Sequence, residues 1–136
     1  MVQGDAEQKA PVLLSASYAA VPGSVRLIRG RLRALAAALG ASERQQENVC
    51  LGASEAATNA VEHAYGEGDG EIHVAAALAA DALEVEIADE GCGLGGSTRS
   101  HGLKCGLAVM VACSERFSLV QRSGGGVLVQ MRFAIG

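Results

Sequence analysis

Residues 54–66 read Ser54-Glu55-Ala-Ala-Thr-Asn59-Ala-Val-Glu-His63-Ala-Tyr-Gly66. Glu55, Asn59 and His63 stand at i, i+4 and i+8, so a helix would carry all three on one face. The other face is nearly all alanine, and small side chains allow a helix to approach a sheet closely. The spacing therefore predicts a helix that packs through its alanines and turns its polar face toward a cavity. A solvated helix face is the competing interpretation.

The chemistry of this polar face suits a phosphate site. A carboxylate and a carboxamide one helical turn apart can act together. Glu55 can accept a proton, and Asn59 can offer Mg²⁺ an oxygen ligand beside phosphates.

A second motif follows further along the chain. The alternating run Leu83-Glu-Val-Glu-Ile-Ala88 predicts a strand, and Asp89-Glu-Gly91-Cys-Gly93 comes directly after it. An acid that closes a strand before two spaced glycines indicates a loop whose backbone can approach a ligand closely. Considered alone, Asp89 is equally typical of a turn at a strand end.

Together, and in this order, the two motifs resemble the N box and the first glycine box of the GHKL (Bergerat-fold) ATPases. Within that superfamily, the sequence around Glu55 is most similar to that of the small anti-sigma-factor serine/threonine kinases. The resemblance extends from about Leu13 to Phe133. It implies a two-layer α+β sandwich, with a mostly antiparallel sheet and helices on one face.

The resemblance also implies roles for individual residues. Glu55 would be the general base that deprotonates the attacking hydroxyl group, and Asn59 would hold Mg²⁺. Asp89 would accept a hydrogen bond from the adenine amino group, while Gly91 and Gly93 would let the chain turn beneath the purine.

Three further positions carry open alternatives. His63 would either line the phosphate region or lie at the pocket rim, and we favour the rim. The second glycine box departs from the family pattern, since Gly102-Leu-Lys104-Cys-Gly106 stands where Gly-x-Gly-x-Gly is usual. Lys104 would either contact a phosphate as a point charge or obstruct the backbone cradle. Val127 stands where the family often has a threonine near adenine.

The expected function comes from the family resemblance. The resemblance implies an ATP- and Mg²⁺-dependent kinase that phosphorylates a STAS-type anti-sigma-factor antagonist and binds a sigma factor by partner switching. It also favours a homodimer. Lys104 and Val127 motivate the alternative, a catalytically weak regulatory binding module of the same fold that sequesters a partner protein.

Composition limits the remaining classes of function. The 136 residues predict one domain over 11–136 after a flexible tail over 1–10. A net charge of −4 without a basic block disfavours nucleic acid as a partner. Arginines at 26, 29, 31 and 33 interrupt the most apolar helix, so no membrane span is expected. The N-terminus lacks a signal pattern, which predicts a cytoplasmic protein.

Four cysteines, at 50, 92, 105 and 113, show no metal-binding spacing, so a structural zinc site is not expected. Cys50 and Cys113 fall within predicted helices, where they are most simply small buried hydrophobic residues. Cys92 and Cys105 bracket a glycine-rich loop, which leaves a redox-sensitive loop open.

Periodicity predicts three helices and about five strands. Ser24 is the expected N-cap of the first helix, and Ser42 with Gln45 matches a capping box for the second. The predicted elements are an edge strand over Val12–Tyr18, a helix from Ser24 to Gly40, a helix from Ser42 to Tyr65, a hairpin over Ile72–Leu78 and Leu83–Ala88, a candidate lid over Leu94–Cys105, a short helix over Gly106–Cys113, and strands over Phe117–Arg122 and Val127–Phe133.

Overall fold

A computed structural model of the chain describes residues 11–64, 70–90, 106–123 and 125–136. The elements in these ranges are β1 (Val12–Ala19), α1 (Pro22–Ala38), α2 (Glu43–Asn59), a π-helical segment (Ala60–Ala64), β2 (Glu71–Ala79), β3 (Ala82–Asp89), β4 (Arg116–Gln121) and β5 (Val127–Ala134). Residues 106–113 are helical and are called α3. The predicted α+β class is confirmed.

The five strands form one antiparallel sheet in the order β1-β2-β3-β5-β4. The hairpins β2–β3 and β4–β5 are joined by the pairing of β3 with β5, and β1 lies at an edge as predicted. Alternate strand residues, such as Val74, Val85 and Met131, are buried in one core with Ile28 and Leu32 of α1. The helices therefore cover one face of the sheet.

The opposite face of the sheet carries polar side-chain pairs between β3 and β5. Arg132 Nη1 donates to Glu84 Oε2 at 2.7 Å, and Gln130 Nε2 donates to Glu86 Oε2 at 2.9 Å. Both contacts link β5 to β3 across directly paired positions. Such exposed cross-strand pairs each contribute little to stability, but they keep this face compatible with water.

Helix α1 begins earlier than predicted. It starts at Pro22, with Val21 at the N-cap position and no side-chain cap, while Ser24 lies buried within the first turn. The Ser24 cap is therefore wrong. Proline is well tolerated in the first turn, because its missing N–H group has no partner inside the helix and its fixed φ already suits helical geometry. The predicted end at Gly40 is confirmed by its φ of +95° just after the helix.

Helix α2 has the predicted capping box. Gln45 N donates to Ser42 Oγ at 3.1 Å, and Ser42 N donates to Gln45 Oε1 at 2.8 Å. The prediction of an unbroken α-helix to Tyr65 is wrong, because regular α-helix ends at Asn59 and residues 60–64 form a π-helical turn. Tyr65 and Gly66 lie outside the described ranges.

The core between α2 and the sheet is built from small residues. Ala53, Ala56 and Ala57 are all buried. At Gly52, a Cβ atom would lie 3.0 Å from Phe133 Cζ and 3.1 Å from Met131 Sδ. Large β5 side chains thus fill the space that the small α2 residues leave. Among the helices of the described ranges, none combines the length and the apolarity that a bilayer span requires.

The Gly52 contact yields a stability prediction. Gly52→Val should lower the free energy of unfolding by about 1–3 kcal/mol, because the added methyl groups would overpack the core against Phe133. Gly30→Val is the matched control, since a Cβ at Gly30 in α1 meets nothing within 4 Å. It should raise stability by roughly 0.3–0.5 kcal/mol through helix propensity. Urea unfolding measures both, and equal effects would contradict close packing at Gly52.

Candidate functional site

Glu55 and Asn59 meet the backbone of α3 at a single point. A Cβ atom placed on Gly106 would lie 2.8 Å from Asn59 Nδ2 and 3.2 Å from Glu55 Oε1. The two side chains therefore share one face of α2, as their spacing predicts. Gly106 is buried and has no side chain that could separate α3 from them.

Asn59 carries an unusual polar atom. Its Nδ2 is buried and has no hydrogen-bond partner within the part of the chain that the structure describes. Leaving such a group unsatisfied typically costs about 1–3 kcal/mol. The stability of α2 alone therefore gives no reason for an asparagine at this position.

The arrangement fits the predicted magnesium ion. Turning the Asn59 carboxamide by half a rotation exchanges its nitrogen and oxygen, and an oxygen in that position is a ligand that Mg²⁺ accepts. Glu55 Oε1 lies beside the same Gly106 backbone, so a carboxylate oxygen is close to the Asn59 carboxamide. The donor set thus suits a hard cation held through few protein ligands.

The prediction that His63 shares the face of Glu55 and Asn59 rested on a continuous α-helix, and that premise is wrong. His63 belongs to the π-helical turn over Ala60–Ala64. The alignment of His63 with the polar face of α2 stays a prediction. The His63 side chain itself lies outside what the structure describes.

Asp89 ends β3 and is only 5% exposed. It follows the alternation of Val85 and Ile87, so its side chain is on the face of the sheet that carries the helices. Val127 N donates to Asp89 Oδ1 at 3.3 Å, and Arg122 Nη1 donates to the Asp89 carbonyl oxygen at 2.9 Å. Val127 stands where the resemblance leads one to expect a threonine. It has no hydroxyl group, but its backbone N–H group donates to the Asp89 carboxylate.

Gly126 completes the surroundings of Asp89. It has φ of +95°, and a Cβ atom there would collide with the Asp89 backbone carbonyl group. Both facts require glycine at this position. The sequence showed Gly126 only as part of a glycine-rich turn, and it gave no signal at all for Arg122.

Four predicted nucleotide-binding positions lie outside the described ranges. They are Gly91, Gly93, Gly102 and Lys104. Cys92 and Cys105 lie there too. The roles of these six residues remain predictions.

The Glu55 carboxylate also acts electrostatically on Cys113, a residue that the sequence did not connect with it. It lies at the far end of α3 from Gly106 and is half-buried rather than buried as predicted, whereas Cys50 is 8% exposed. Burial, together with the Glu55 carboxylate, raises the pKa of the Cys113 thiol. Both ends of α3 therefore bear on the surroundings of Glu55.

The chain is similar in sequence to known proteins. Residues 18–133 match the family described as the histidine kinase-like ATPase domain. Serine-protein kinase RsbW of Bacillus subtilis (strain 168) is 41% identical over 73 residues, which are 53% of this chain and 46% of that protein. RsbW of Listeria monocytogenes serotype 4a (strain HCC23) is 41% identical over 83 residues, covering 60% of this chain and 53% of that protein. The match thus spans about half the length of these relatives.

The position of Cys113 can be tested by its reactivity. In a variant whose other three cysteines are alanine, Glu55→Gln should speed alkylation of Cys113 by iodoacetamide near pH 8. Removing the carboxylate charge lowers the thiol pKa, so more thiolate is present at a given pH. Glu47→Gln, at an exposed position of α2, is the control and should leave the rate unchanged. Identical rates in both variants would place Cys113 away from Glu55.

The unpartnered amide of Asn59 gives a second test. Asn59→Ala should raise the free energy of unfolding by about 1 kcal/mol more than the control Asn48→Ala, because it removes a buried group that lacks a hydrogen bond. Asn48 also lies in α2, so the control accounts for the gain in helix propensity. Urea unfolding measures both variants. A loss of stability in Asn59→Ala would show that Asn59 supports the fold.

Proposed function

Since the chain belongs to the histidine kinase-like ATPase domain family, we propose that it binds ATP with Mg²⁺ and transfers the γ-phosphoryl group to a serine or threonine of a partner protein. The observation that carries this function is the meeting, at the Gly106 backbone, of Glu55 with Asn59 Nδ2, which has no hydrogen-bond partner among the described residues. An acid and an amide placed together in this way suit a base beside a metal-bound phosphate.

Glu55 has the role of general base. Phosphoryl transfer depends mainly on positioning and on stabilising charge, so a base contributes only when it is held close to the attacking hydroxyl group. The Gly106 backbone lies against Glu55 and limits the directions in which its carboxylate can point. Glu55 would take the hydroxyl proton as the oxygen attacks phosphorus.

Asn59 would hold the metal ion through its carboxamide oxygen. Bound Mg²⁺ would neutralise charge on the phosphate oxygens. Offering the carboxamide oxygen requires the half rotation described above, because Nδ2 is the atom at the buried position.

Asp89 selects the base. A carboxylate accepts a hydrogen bond from the amino group of adenine, whereas guanine presents a carbonyl oxygen at the same position and would be repelled. The carboxylate is held by the N–H group of Val127, and burial keeps water from competing for it.

The relatives are named serine-protein kinases, which supports a protein as the phosphoryl acceptor. We assign a STAS-type anti-sigma-factor antagonist as the phosphoryl acceptor and a sigma factor as the second partner, in a homodimeric, cytoplasmic protein. A regulatory module without catalysis remains the competing function, and measuring transfer separately from binding distinguishes the two.

Glu55→Gln should lower the rate of phosphoryl transfer to a purified STAS-type antagonist by about 10²–10⁴-fold. The dissociation constant for Mg²⁺-ATP, measured by calorimetry, should change little, because the base acts on the acceptor hydroxyl group. Glu47→Gln is the matched control on an exposed part of α2 and should transfer at the wild-type rate.

Three results would decide the matter. Equal transfer by wild type and Glu55→Gln would remove Glu55 as the base. Binding of Mg²⁺-ATP without transfer by the wild type would favour the regulatory module. Absence of binding would reject nucleotide chemistry altogether.

A further inference from the structure

The turn between β4 and β5 closes onto the end of β3. Within this turn, Arg122 N donates to Gly126 O at 2.9 Å, and Gly125 N donates to Arg122 O at 3.1 Å. From it, Arg122 Nη1 reaches the Asp89 carbonyl oxygen at 2.9 Å. Val127 N, just past the turn, reaches Asp89 Oδ1 at 3.3 Å. One turn therefore holds both the backbone and the carboxylate of Asp89.

We infer that Arg122 is a positioning residue that fixes the orientation of Asp89 and thereby sets the preference for adenine over guanine. This inference rests on the proposed function, because it assumes that Asp89 contacts the purine. It goes further in naming a residue outside both glycine motifs as a determinant of nucleotide specificity.

Asp89 is still paired with Ile72 of β2, whereas the β5 side of β3 is no longer paired at this residue. The pairing of β3 with β5 ends at Ala88 and Leu128. Beyond that pair, the guanidinium group of Arg122 provides a hydrogen bond to the Asp89 carbonyl oxygen. A bond from a charged donor is stronger than one between neutral groups, so it resists rotation of the peptide that follows Asp89.

Gly126 reinforces this restraint by occupying the adjacent space. Its backbone lies so close to the Asp89 carbonyl group that a Cβ atom would collide with it. Arg122 therefore holds the carbonyl by attraction while Gly126 confines it by contact. Because the carboxylate belongs to the same residue, fixing the peptide also limits the directions in which the carboxylate can point.

The side-chain contact at the next residue contributes less. His73 Nε2 and Glu90 Oε2 are 3.5 Å apart, and the Glu90 side chain is 64% exposed. Exposed pairs of this kind contribute little, because solvent and salt screen them. The Arg122 contact is partly buried and shorter, so it governs the geometry at the end of β3.

The test is a comparison of nucleotide preference. Dissociation constants for Mg²⁺-ATP and Mg²⁺-GTP are measured by calorimetry on the full chain. Arg122→Gln should weaken ATP binding about tenfold and leave GTP binding unchanged, which lowers the preference for ATP about tenfold. Arg122→Lys keeps a charged donor and should restore most of the preference. Arg116→Gln, at an exposed β4 position, is the matched control and should behave as wild type.

Each result has a distinct meaning. Wild type that binds neither nucleotide rejects the proposed function and this inference with it. Wild type that prefers ATP, with the same preference retained in Arg122→Gln, rejects the inference alone. Equal weakening of ATP and GTP also rejects it, because Arg122 would then act on features common to both nucleotides. If Arg122→Gln fails to fold, Arg122→Met, which retains the aliphatic stem, is measured against the same criteria.

Discussion

The site depends on the close approach between the Gly106 backbone and the side chains of Glu55 and Asn59. Glu55 and Asn59 can share one point of contact only because no Cβ stands between them and α3. The buried alanines of α2 also allow a close approach, because their small side chains let the helix pack closely on the sheet. Small residues on both sides therefore bring a carboxylate and a carboxamide into a narrow space between helices.

Holding these polar groups in that space lowers the stability of the fold. A buried amide nitrogen without a partner opposes folding, and an alanine-rich core supplies little apolar area per residue to offset the cost. Residues that serve binding commonly reduce stability in this way. A ligand that satisfied the Asn59 carboxamide would recover this loss, so its binding should stabilise the folded state.

The sequence predicted those parts of the fold that depend on local interactions. Alternation identified the strands, because every second residue enters the core, and the capping box at Ser42 involves neighbours only three residues apart. The Ser24 cap was wrong, since Pro22 can itself begin a helix. The π-helical turn carries no comparable signal in the sequence. Arg122 and Asp89 are 33 residues apart in sequence, and only the folded chain brings them together.

The raised pKa of the Cys113 thiol affects how this residue reacts with oxidants. Peroxides attack the thiolate form of cysteine, and a raised pKa keeps Cys113 largely protonated in neutral solution. Cys113 should therefore resist conversion to sulfenic acid, which would place a bulky polar group next to the proposed base. Burial is the larger cause of this raised pKa and the Glu55 carboxylate adds to it, so the fold keeps this thiol in its less reactive, protonated form.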